Sequence, residues 1–159
     1  MKVLVTGAAG FIGGQLCHAL WKRGDTVVGI DNFSYGNPDN LRFEDHDFGP
    51  EVLRLDIRDR DALPALFEKE GFDLVYNIAG IAPLPDCQSD PVEAVSVNTL
   101  GLVNLLELCR RHGVRHLVQA STNAMYENET QFPTVEDRFN PPHADLPQHQ
   151  ILRRAVLPQ

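Results

Sequence analysis

Cysteine is scarce in this sequence, which has only Cys17, Cys87 and Cys109 among its 159 residues. So few cysteines, and an odd number of them, exclude a disulfide-built miniprotein and are typical of reduced thiols in the cytoplasm. Basic residues are also in the minority, with 14 Lys and Arg against 22 Asp and Glu, and the net charge of −8 argues against a nucleic-acid partner. No apolar run approaches the ~18 residues of a membrane span, and the glycine at position 7 comes too early for a signal peptide. We therefore expect a cytoplasmic protein without a nucleic-acid or membrane partner.

The hydrophobic pattern predicts an α/β domain. Short apolar runs alternate with stretches of helical period, as in a parallel sheet whose strands are joined by crossover helices. The predicted strands are residues 2–6, 26–30, 52–55, 74–78 and 117–120, and the predicted helices are residues 11–23, a short segment that stops near residue 71, and residues 91–112. The expected fold is a doubly wound parallel sheet that stops after about the fifth strand. Ligands of such sheets bind beyond the carboxyl ends of the strands.

A glycine-rich segment follows the first predicted strand and opens the first predicted helix. Glycines in this context permit a tight turn and let a pyrophosphate approach the backbone at the helix N-terminus. A purely structural glycine turn is the alternative, but the strand–turn–helix context favours a site for a cofactor phosphate. The candidate contacts in this segment are Gly7, Gly10, Phe11, Ile12 and Gly13.

An acidic residue, Asp31, ends the second predicted strand, 18 residues beyond Gly13. A carboxylate there can accept hydrogen bonds from the ribose hydroxyls of adenosine, and it repels a 2′-phosphate. No Arg or Lys stands beside it in residues 31–34, which favours NAD over NADP. Asn32 and Phe33, which follow Asp31 directly, are further candidate cofactor contacts. The alternative for this segment is a turn-forming Asp-Asn pair.

Six segments in this order resemble the extended short-chain dehydrogenase/reductases, and among them the NAD-dependent epimerase/dehydratase family that acts on nucleotide sugars. They are TGAAGFIG (6–13), DNFS (31–34), LDIRD (55–59), NIAG (77–80), VNTLGLVNLLE (97–107) and STNAMY (121–126). The resemblance covers residues 1 to about 140. It implies a Rossmann-like fold, NAD as the cofactor and, in the complete enzyme, a nucleotide-sugar substrate.

The resemblance also implies roles for residues after the third and fourth strands. Asp56 would accept a hydrogen bond from the adenine amino group, and Ile57 would pack on the adenine ring. The residues expected to line the path of the ribose and nicotinamide are Ile78, Ala79 and Gly80. Taken without the surrounding pattern, a loop cap is the preferred interpretation of Asp56.

Further implied roles concern the long predicted helix and the end of the fifth strand. Asn98 would hold the region after the fourth strand and an active-site water, although a polar contact within the helix is the alternative. Thr122 matches the Ser or Thr of the family whose hydroxyl binds the substrate oxygen that is oxidised, and Ser121 is a candidate cofactor contact. Asn123 and Ala124 stand where sugar dehydratases have an Asp and a Glu, so dehydration is disfavoured, because an amide and a methyl group cannot serve as acid and base.

The catalytic pair of the family, a Tyr followed four residues later by a Lys, is absent from this sequence. Tyrosines stand only at positions 35, 76 and 126, and the residues four positions later are Asp39, Gly80 and Thr130. The last lysine of the sequence is Lys69. We expect a partial member of the family that binds NAD without turnover. The alternative is a non-catalytic NAD-binding or regulatory module. No spacing of His or Cys residues suggests a metal site.

The last part of the sequence departs from the pattern. Five prolines lie between residues 127 and 159, and no convincing strand follows. We therefore divide the chain into an NAD-binding domain, residues 1–140, and an irregular tail, residues 141–159. Residues 146–151 can be encoded so that a shifted reading frame contains the missing Tyr and Lys, which predicts a frame shift in this region.

The helix at residues 91–112 is expected to mediate self-association. On a uniform helical period its apolar residues form two stripes, one of which covers the sheet. The first stripe contains Val92, Val95, Leu102, Leu106 and Cys109, and the second contains Ala94, Val97, Leu105 and Leu108. The stripe that does not cover the sheet would remain an exposed apolar patch, and such patches mark interfaces. A homo-oligomer built through this helix is the prediction.

Overall fold

The computed structural model describes residues 1–122, 126 and 133–135. Its five strands form one parallel sheet in the order β3-β2-β1-β4-β5, which confirms the predicted fold class. The strands are β1 (Lys2–Thr6), β2 (Thr26–Asp31), β3 (Leu53–Arg54), β4 (Leu74–Asn77) and β5 (His116–Gln119). The helices are α1 (Phe11–Lys22), α2 (Ala62–Glu70), α3 (Leu84–Ser89), α4 (Pro91–Val95) and α5 (Gly101–His112), with a 3-10 helix at Pro38–Leu41 and a π-helix at Ser96–Leu100. The predicted tail at residues 141–159, the predicted frame shift and residues 123 and 124 lie outside the described residues.

The central strand of the sheet is β1, which is buried on both faces. Its consecutive apolar residues face alternate sides, with Leu4 in one apolar layer and Val3 and Val5 in the other. A strand covered on both faces needs such a continuous apolar run. The strand order reverses at β1, because β2 and β3 lie on one side of it and β4 and β5 on the other. The carboxyl ends of β1 and β4 therefore flank the crevice in which sheets of this kind bind ligands.

An aromatic cluster fastens the long β2–β3 connection to the outer face of α1. The ring of His18 stacks on Phe43 with centroids 3.9 Å apart, and Trp21 stacks on His46 at 4.5 Å. Phe48 is almost fully buried and meets both Phe43 and His46 edge-on. This packing holds the connection against the second half of the first helix.

Residues Pro91–His112 form one long helix with a π-helical segment in its middle. The second predicted stripe is buried, but Leu102 and Cys109 of the first stripe are buried as well, while Val92 is 78% exposed. The first stripe is therefore not one surface, and that expectation is wrong. A π-turn bonds residues five apart, so it rotates the faces that follow it relative to those before it, and a uniform period fails.

The same helix corrects an expectation about membrane-spanning segments. By length and composition it is capable of crossing a membrane, although the sequence analysis expected no run of that size. Nearly half of the most apolar stretch of this helix is buried inside the fold. The helix packs on the sheet and on α2, as the core helix of a globular domain does.

Candidate cofactor site

A cavity of about 680 Å³ opens at the carboxyl ends of the central strands. It brings together most of the predicted cofactor contacts, namely Gly7, Gly10, Phe11, Ile12, Gly13, Asp31, Asn32, Asp56, Ile57, Ile78, Ala79 and Gly80. Other lining residues were missed in the sequence, namely Ile30, Ser34, Tyr35, Gly36, Leu55, Ile81, Ala82, Glu93 and Val97. Most of the missed residues directly precede or follow predicted ones, so their place next to these residues in the chain was the available signal. The predicted contacts Phe33, Asn98 and Ser121 lie outside this lining.

The glycine turn between β1 and α1 forms one wall of the cavity. Gly7 has a φ of +67°, and a Cβ there would lie 2.7 Å from the backbone nitrogen of Ala79. A Cβ on Gly13 would overlap the carbonyl oxygen of Gly7 and lie 2.9 Å from the Cα of Ala8. Gly10 is the N-cap of α1 and makes no side-chain cap. The turn is thus a cradle whose close backbone packing leaves no room for side chains at Gly7 and Gly13, and it presents a helix N-terminus, which fits the pyrophosphate of a dinucleotide.

The carboxylate of Asp31 ties the end of β2 to this turn. Only 8% of the residue is exposed. One oxygen accepts a hydrogen bond from the backbone N–H of Ala9 at 2.9 Å, and the other accepts one from the N–H of Phe33 at 2.7 Å. Each carboxylate oxygen can accept a second bond. Asp31 is therefore held in place and keeps acceptor capacity toward the cavity, as a ribose-binding carboxylate requires.

The residues after Asp31 cover the outer side of the turn. The carbonyl oxygen of Ala9 accepts bonds from the backbone N–H of Asn37 and from the side-chain amide of Asn40, both at 2.9 Å. Gly14 makes room for this connection, because a Cβ there would lie 3.0 Å from the carbonyl carbon of Asn40. The β2–β3 connection thereby fixes the shape of the glycine turn.

A basic residue lies next to Asp31 in space, contrary to what the sequence around Asp31 suggested. Arg54 on β3 is the register partner of Asp31 on β2. Its guanidinium lies 4.8 Å from the ring centroid of Phe33 and donates to the carbonyl oxygen of Asn32 at 3.3 Å. The absence of Arg and Lys from residues 31–34 therefore does not describe the surroundings of Asp31 in space, because strand pairing brings this cation from 23 positions further along the chain.

Asp56 is the centre of a charged network at the end of β3. Its two oxygens accept four bonds, from the N–H, Nε and Nη2 of Arg58 and from the side-chain amide of Asn32, at 2.8–2.9 Å. The Arg58 guanidinium lowers the pKa of Asp56 to about 2. Arg58 also donates to Glu93 at 2.6 Å and to Ser96 at 3.2 Å. An adenine amino group would have to share or replace one of the four donors, so the implied adenine contact stays a prediction.

Ile57, the implied adenine-packing residue, is 4% exposed and belongs to the apolar core. Its side chain reaches the start of α5, where a Cβ on Gly101 would lie 2.7 Å from the Cγ1 of Ile57. The residue also lines the cavity. It therefore couples the floor of the cavity to α5, and its packing on an adenine ring remains a prediction.

A chain of polar groups missed in the sequence joins three strands at their carboxyl ends. The Thr6 hydroxyl donates to the side-chain oxygen of Asn77 at 2.6 Å, and the Asn77 amide donates to Gln119 at 2.8 Å. Thr6 and Asn77 are completely buried. The Thr6 oxygen also accepts a bond from the N–H of Ala79 at 3.2 Å. Polar residues that end two buried strands were the signal, and the chain fixes the cavity wall after β4.

Asn98, in the π-helical segment, is completely buried. Its side chain makes two bonds with the backbone of Ile81, accepting from the N–H and donating to the carbonyl oxygen, both at 2.9 Å. The residue thus holds the segment that follows β4, which is one part of the role implied for it. The implied role with an active-site water stays a prediction.

Tyr35 stands at the cavity and is the tyrosine to consider as a substitute for the missing base. It is 58% exposed, and the neighbouring carboxylate of Asp86 raises its pKa. A catalytic tyrosinate needs the opposite change, a pKa lowered by a nearby cation. Tyr35 is therefore unsuited to take a proton from a substrate hydroxyl near neutral pH.

Ser121 and Thr122 follow β5 at the carboxyl edge of the sheet, the first exposed and the second half-buried. Neither lines the cavity formed by the described residues, and the catalytic role implied for Thr122 stays a prediction. Within residues 1–122, 126 and 133–135, no group of three or more His, Cys, Asp and Glu side chains is arranged to hold a metal ion.

Comparison with known proteins relates this site to a family. The model of a family described as "NAD dependent epimerase/dehydratase family" matches residues 3–147. Mouse UDP-glucose 4-epimerase is 36% identical over 143 residues, which cover 85% of this chain and 41% of that protein. Arabidopsis thaliana UDP-glucuronate 4-epimerase 3 is 38% identical over 147 residues, covering 89% of this chain and 34% of that protein.

Solved structures give the same relation. Thermus thermophilus UDP-glucose 4-epimerase, in complex with NAD, has a TM-score of 0.83 and 32% identity, covering 98% of this chain and 49% of that one. The Stenotrophomonas maltophila enzyme, with bound NAD and formylated UDP-arabinopyranose, has a TM-score of 0.86 and 27% identity, covering 98% and 47%. The chain spans half or less of the length of these relatives. It belongs to the NAD-dependent epimerase/dehydratase family and corresponds to its N-terminal, NAD-binding region.

Proposed function

We propose that this chain binds NAD in the cavity at the carboxyl ends of β1, β2 and β4. The observation that carries the proposal is the glycine cradle with Asp31 fixed beside it. The pyrophosphate would lie at Gly7, Gly10 and the N-terminus of α1, and the adenosine ribose would bond Asp31. When bound, NAD supplies a hydride acceptor, and this chain's own residues bind and orient it.

Calorimetric titration with NAD and NADP tests the proposal. We expect NAD to bind more tightly than NADP, and Gly10→Val to abolish NAD binding by filling the space of the pyrophosphate. Gly10 has an extended backbone, with φ −74° and ψ 164°, but a Cβ there would lie 3.1 Å from the carbonyl oxygen of Gly7, so circular dichroism must first show that the variant folds. The matched control is Gln15→Val on the exposed side of the same helix, which should bind NAD normally. Wild-type binding by Gly10→Val would show that the cradle does not hold the cofactor.

We further propose that the chain alone does not turn over a sugar. The complete enzyme would transfer hydride at a carbon of a nucleotide sugar, with the Thr122 hydroxyl on the substrate oxygen. This chain lacks the Tyr and Lys that such a transfer requires in the family. The carboxylate of Asp86 raises the pKa of Tyr35, which disfavours Tyr35 as a substitute for the missing base. Asn123 and Ala124 disfavour dehydration, so epimerisation or simple hydride transfer remains.

Incubation of the chain with NAD and UDP-glucose, beside a full-length UDP-glucose 4-epimerase as the positive control, tests this point. We expect neither reduced NAD nor an epimerised sugar from the chain alone. Turnover above the protein-free rate would contradict the proposal.

We also propose a cytoplasmic location. The three cysteines are free and buried, which suits a reducing compartment.

A further inference from the structure

A tyrosine in the β2–β3 connection reaches across the crevice to the helix that follows β4. Tyr35 lines the cavity, and its hydroxyl donates a hydrogen bond to the carboxylate of Asp86 on α3. Strand β1 lies between β2 and β4 in the sheet. A bond from the segment after β2 to the helix after β4 therefore spans the carboxyl end of β1, where the glycine turn lies.

The backbone on the tyrosine side of this bond is packed against the glycine turn. A Cβ on Gly36 would lie 2.8 Å from Oδ1 of Asp31 and 2.7 Å from the Cβ of Ala9. The chain beside Tyr35 therefore has no room to shift inwards. The next residue, Asn37, donates its N–H to the carbonyl oxygen of Ala9 at 2.9 Å. Tyr35 is thus mounted beside the positions proposed for the ribose and the pyrophosphate.

The aspartate side of the bond is anchored in the apolar core. Cys87, which follows Asp86, is 5% exposed and belongs to the core cluster. Its thiol donates to the carbonyl oxygen of Ile81 at 3.5 Å, and Ile81 is itself held by the side chain of Asn98. Because the backbone is fixed at both ends, the exposed tyrosine side chain is the part of this bridge that can move.

We infer that Tyr35 and Asp86 form a clasp over the position proposed for the pyrophosphate, and that this clasp must open for NAD to enter or leave the cavity. This inference rests on the proposed binding of NAD. The bond joins two protein groups and no atom of the cofactor, so the clasp slows entry and exit by the same factor and leaves the affinity nearly unchanged. Gating of this kind by a mobile element at the mouth of a site commonly limits ligand exchange.

The test measures the rates of NADH binding and release by stopped-flow fluorescence, because NADH is fluorescent and shares the adenosine and pyrophosphate of NAD. Release is followed after mixing the complex with excess NAD. Tyr35→Phe removes the hydroxyl and keeps the ring, and Asp86→Ala removes the acceptor. The matched controls are Tyr76→Phe on β4, outside the cavity lining, and Asp61→Ala before α2, where the carboxylate makes no cap bond. Thermal unfolding shows that each variant is folded.

We expect both rate constants to rise about threefold to tenfold in Tyr35→Phe and in Asp86→Ala, the range for one partly exposed hydrogen bond. Their ratio, the affinity, should change less than about twofold. The double variant should be no faster than either single variant, because both remove the same bond. The two control variants should keep the wild-type rates.

Three results overturn the inference while wild-type binding stands. They are unchanged rates in Tyr35→Phe, a faster release without faster binding, and effects that multiply in the double variant. A faster release alone would show that the hydroxyl contacts the cofactor directly. Failure of the wild type to bind NADH or NAD overturns the proposed function, and this inference with it.

Discussion

Replacing Gly13 with alanine should damage both the stability of the fold and the proposed cofactor site. The added Cβ would overlap the carbonyl oxygen of Gly7 and lie 2.8 Å from its carbonyl carbon. Favourable carbon contacts begin at about 3.5 Å, so the carbon contact alone requires α1 and the turn to separate by roughly 0.7 Å, and the overlap with the oxygen requires more. The turn is held by Asp31 and by Asn40 through Ala9, which leaves little freedom to yield.

The expected cost follows from that geometry. Forcing extra carbon into a packed site costs about 1–3 kcal/mol, and a backbone obstacle places Gly13→Ala toward the upper end. In thermal unfolding followed by circular dichroism, this should lower Tm by about 3–10 °C. NAD affinity at a temperature where the variant is folded should fall at least about tenfold, because the helix N-terminus moves off the pyrophosphate position.

The control is Gly24→Ala, just beyond the other end of the same helix, about 16 Å away. Gly24 has a φ of +88° with open space around it, so alanine there costs about 1–2 kcal/mol through the backbone alone. It should lower Tm without changing NAD affinity. If Gly13→Ala binds NAD like the wild type, or if Gly24→Ala loses binding equally, the geometric reasoning about the cradle is refuted.

Three further predictions concern the network, the strand ends and the long helix. The folded pKa of Asp56 is about 2, below its ordinary value of 3.8, so its ion pair contributes fully above about pH 4 and is lost as the pH falls toward 2. Arg58→Met should reduce this acid-dependent loss of stability in urea unfolding at a series of pH values, whereas an unchanged pH profile would argue against the pair. Asn77→Ala should cost about 1–3 kcal/mol in the same assay, since it leaves the buried Thr6 hydroxyl without its partner, and a cost near zero would contradict the role of the polar chain. We also propose self-association through the exposed part of the long helix, where Leu100 is 54% and Val103 46% exposed. In sedimentation experiments Val103→Asp should convert the oligomer to a monomer. A wild-type protein that stays monomeric at high concentration would disprove self-association.

Some features of the site could be predicted from short stretches of sequence because their causes are local. A glycine-rich turn between a buried strand and a helix needs only the residues of that turn, and the prediction placed Gly7 and Gly13 correctly on the cavity wall. The pairing of Asp56 with Arg58 is equally local, two residues apart, and was missed because the carboxylate was assigned to the adenine or to a loop cap and not to a cation. Sequence reasoning therefore found the acceptor and overlooked its partner.

Other features depend on which distant segments meet. Arg54 lies beside Asp31 only through the register of β2 and β3, and Asn98 reaches Ile81 only because the long helix passes beside the segment after β4. The side of that helix that is buried depends on the π-turn at Ser96–Leu100, which no 3.6-residue period contains. These contacts are decided by packing between elements, so composition and spacing could not supply them.

The sequence by itself determined the parallel sheet, the glycine cradle and the carboxylate at the end of β2. Each follows from hydrophobic periodicity or from the φ and space that single residues permit, and these causes act within a few residues. The tertiary structure decided what surrounds that carboxylate, which acceptor positions of Asp56 are already filled, and which side of the long helix faces the core. Those outcomes depend on strand register and helix packing, where the free energy comes from contacts between residues far apart in the chain.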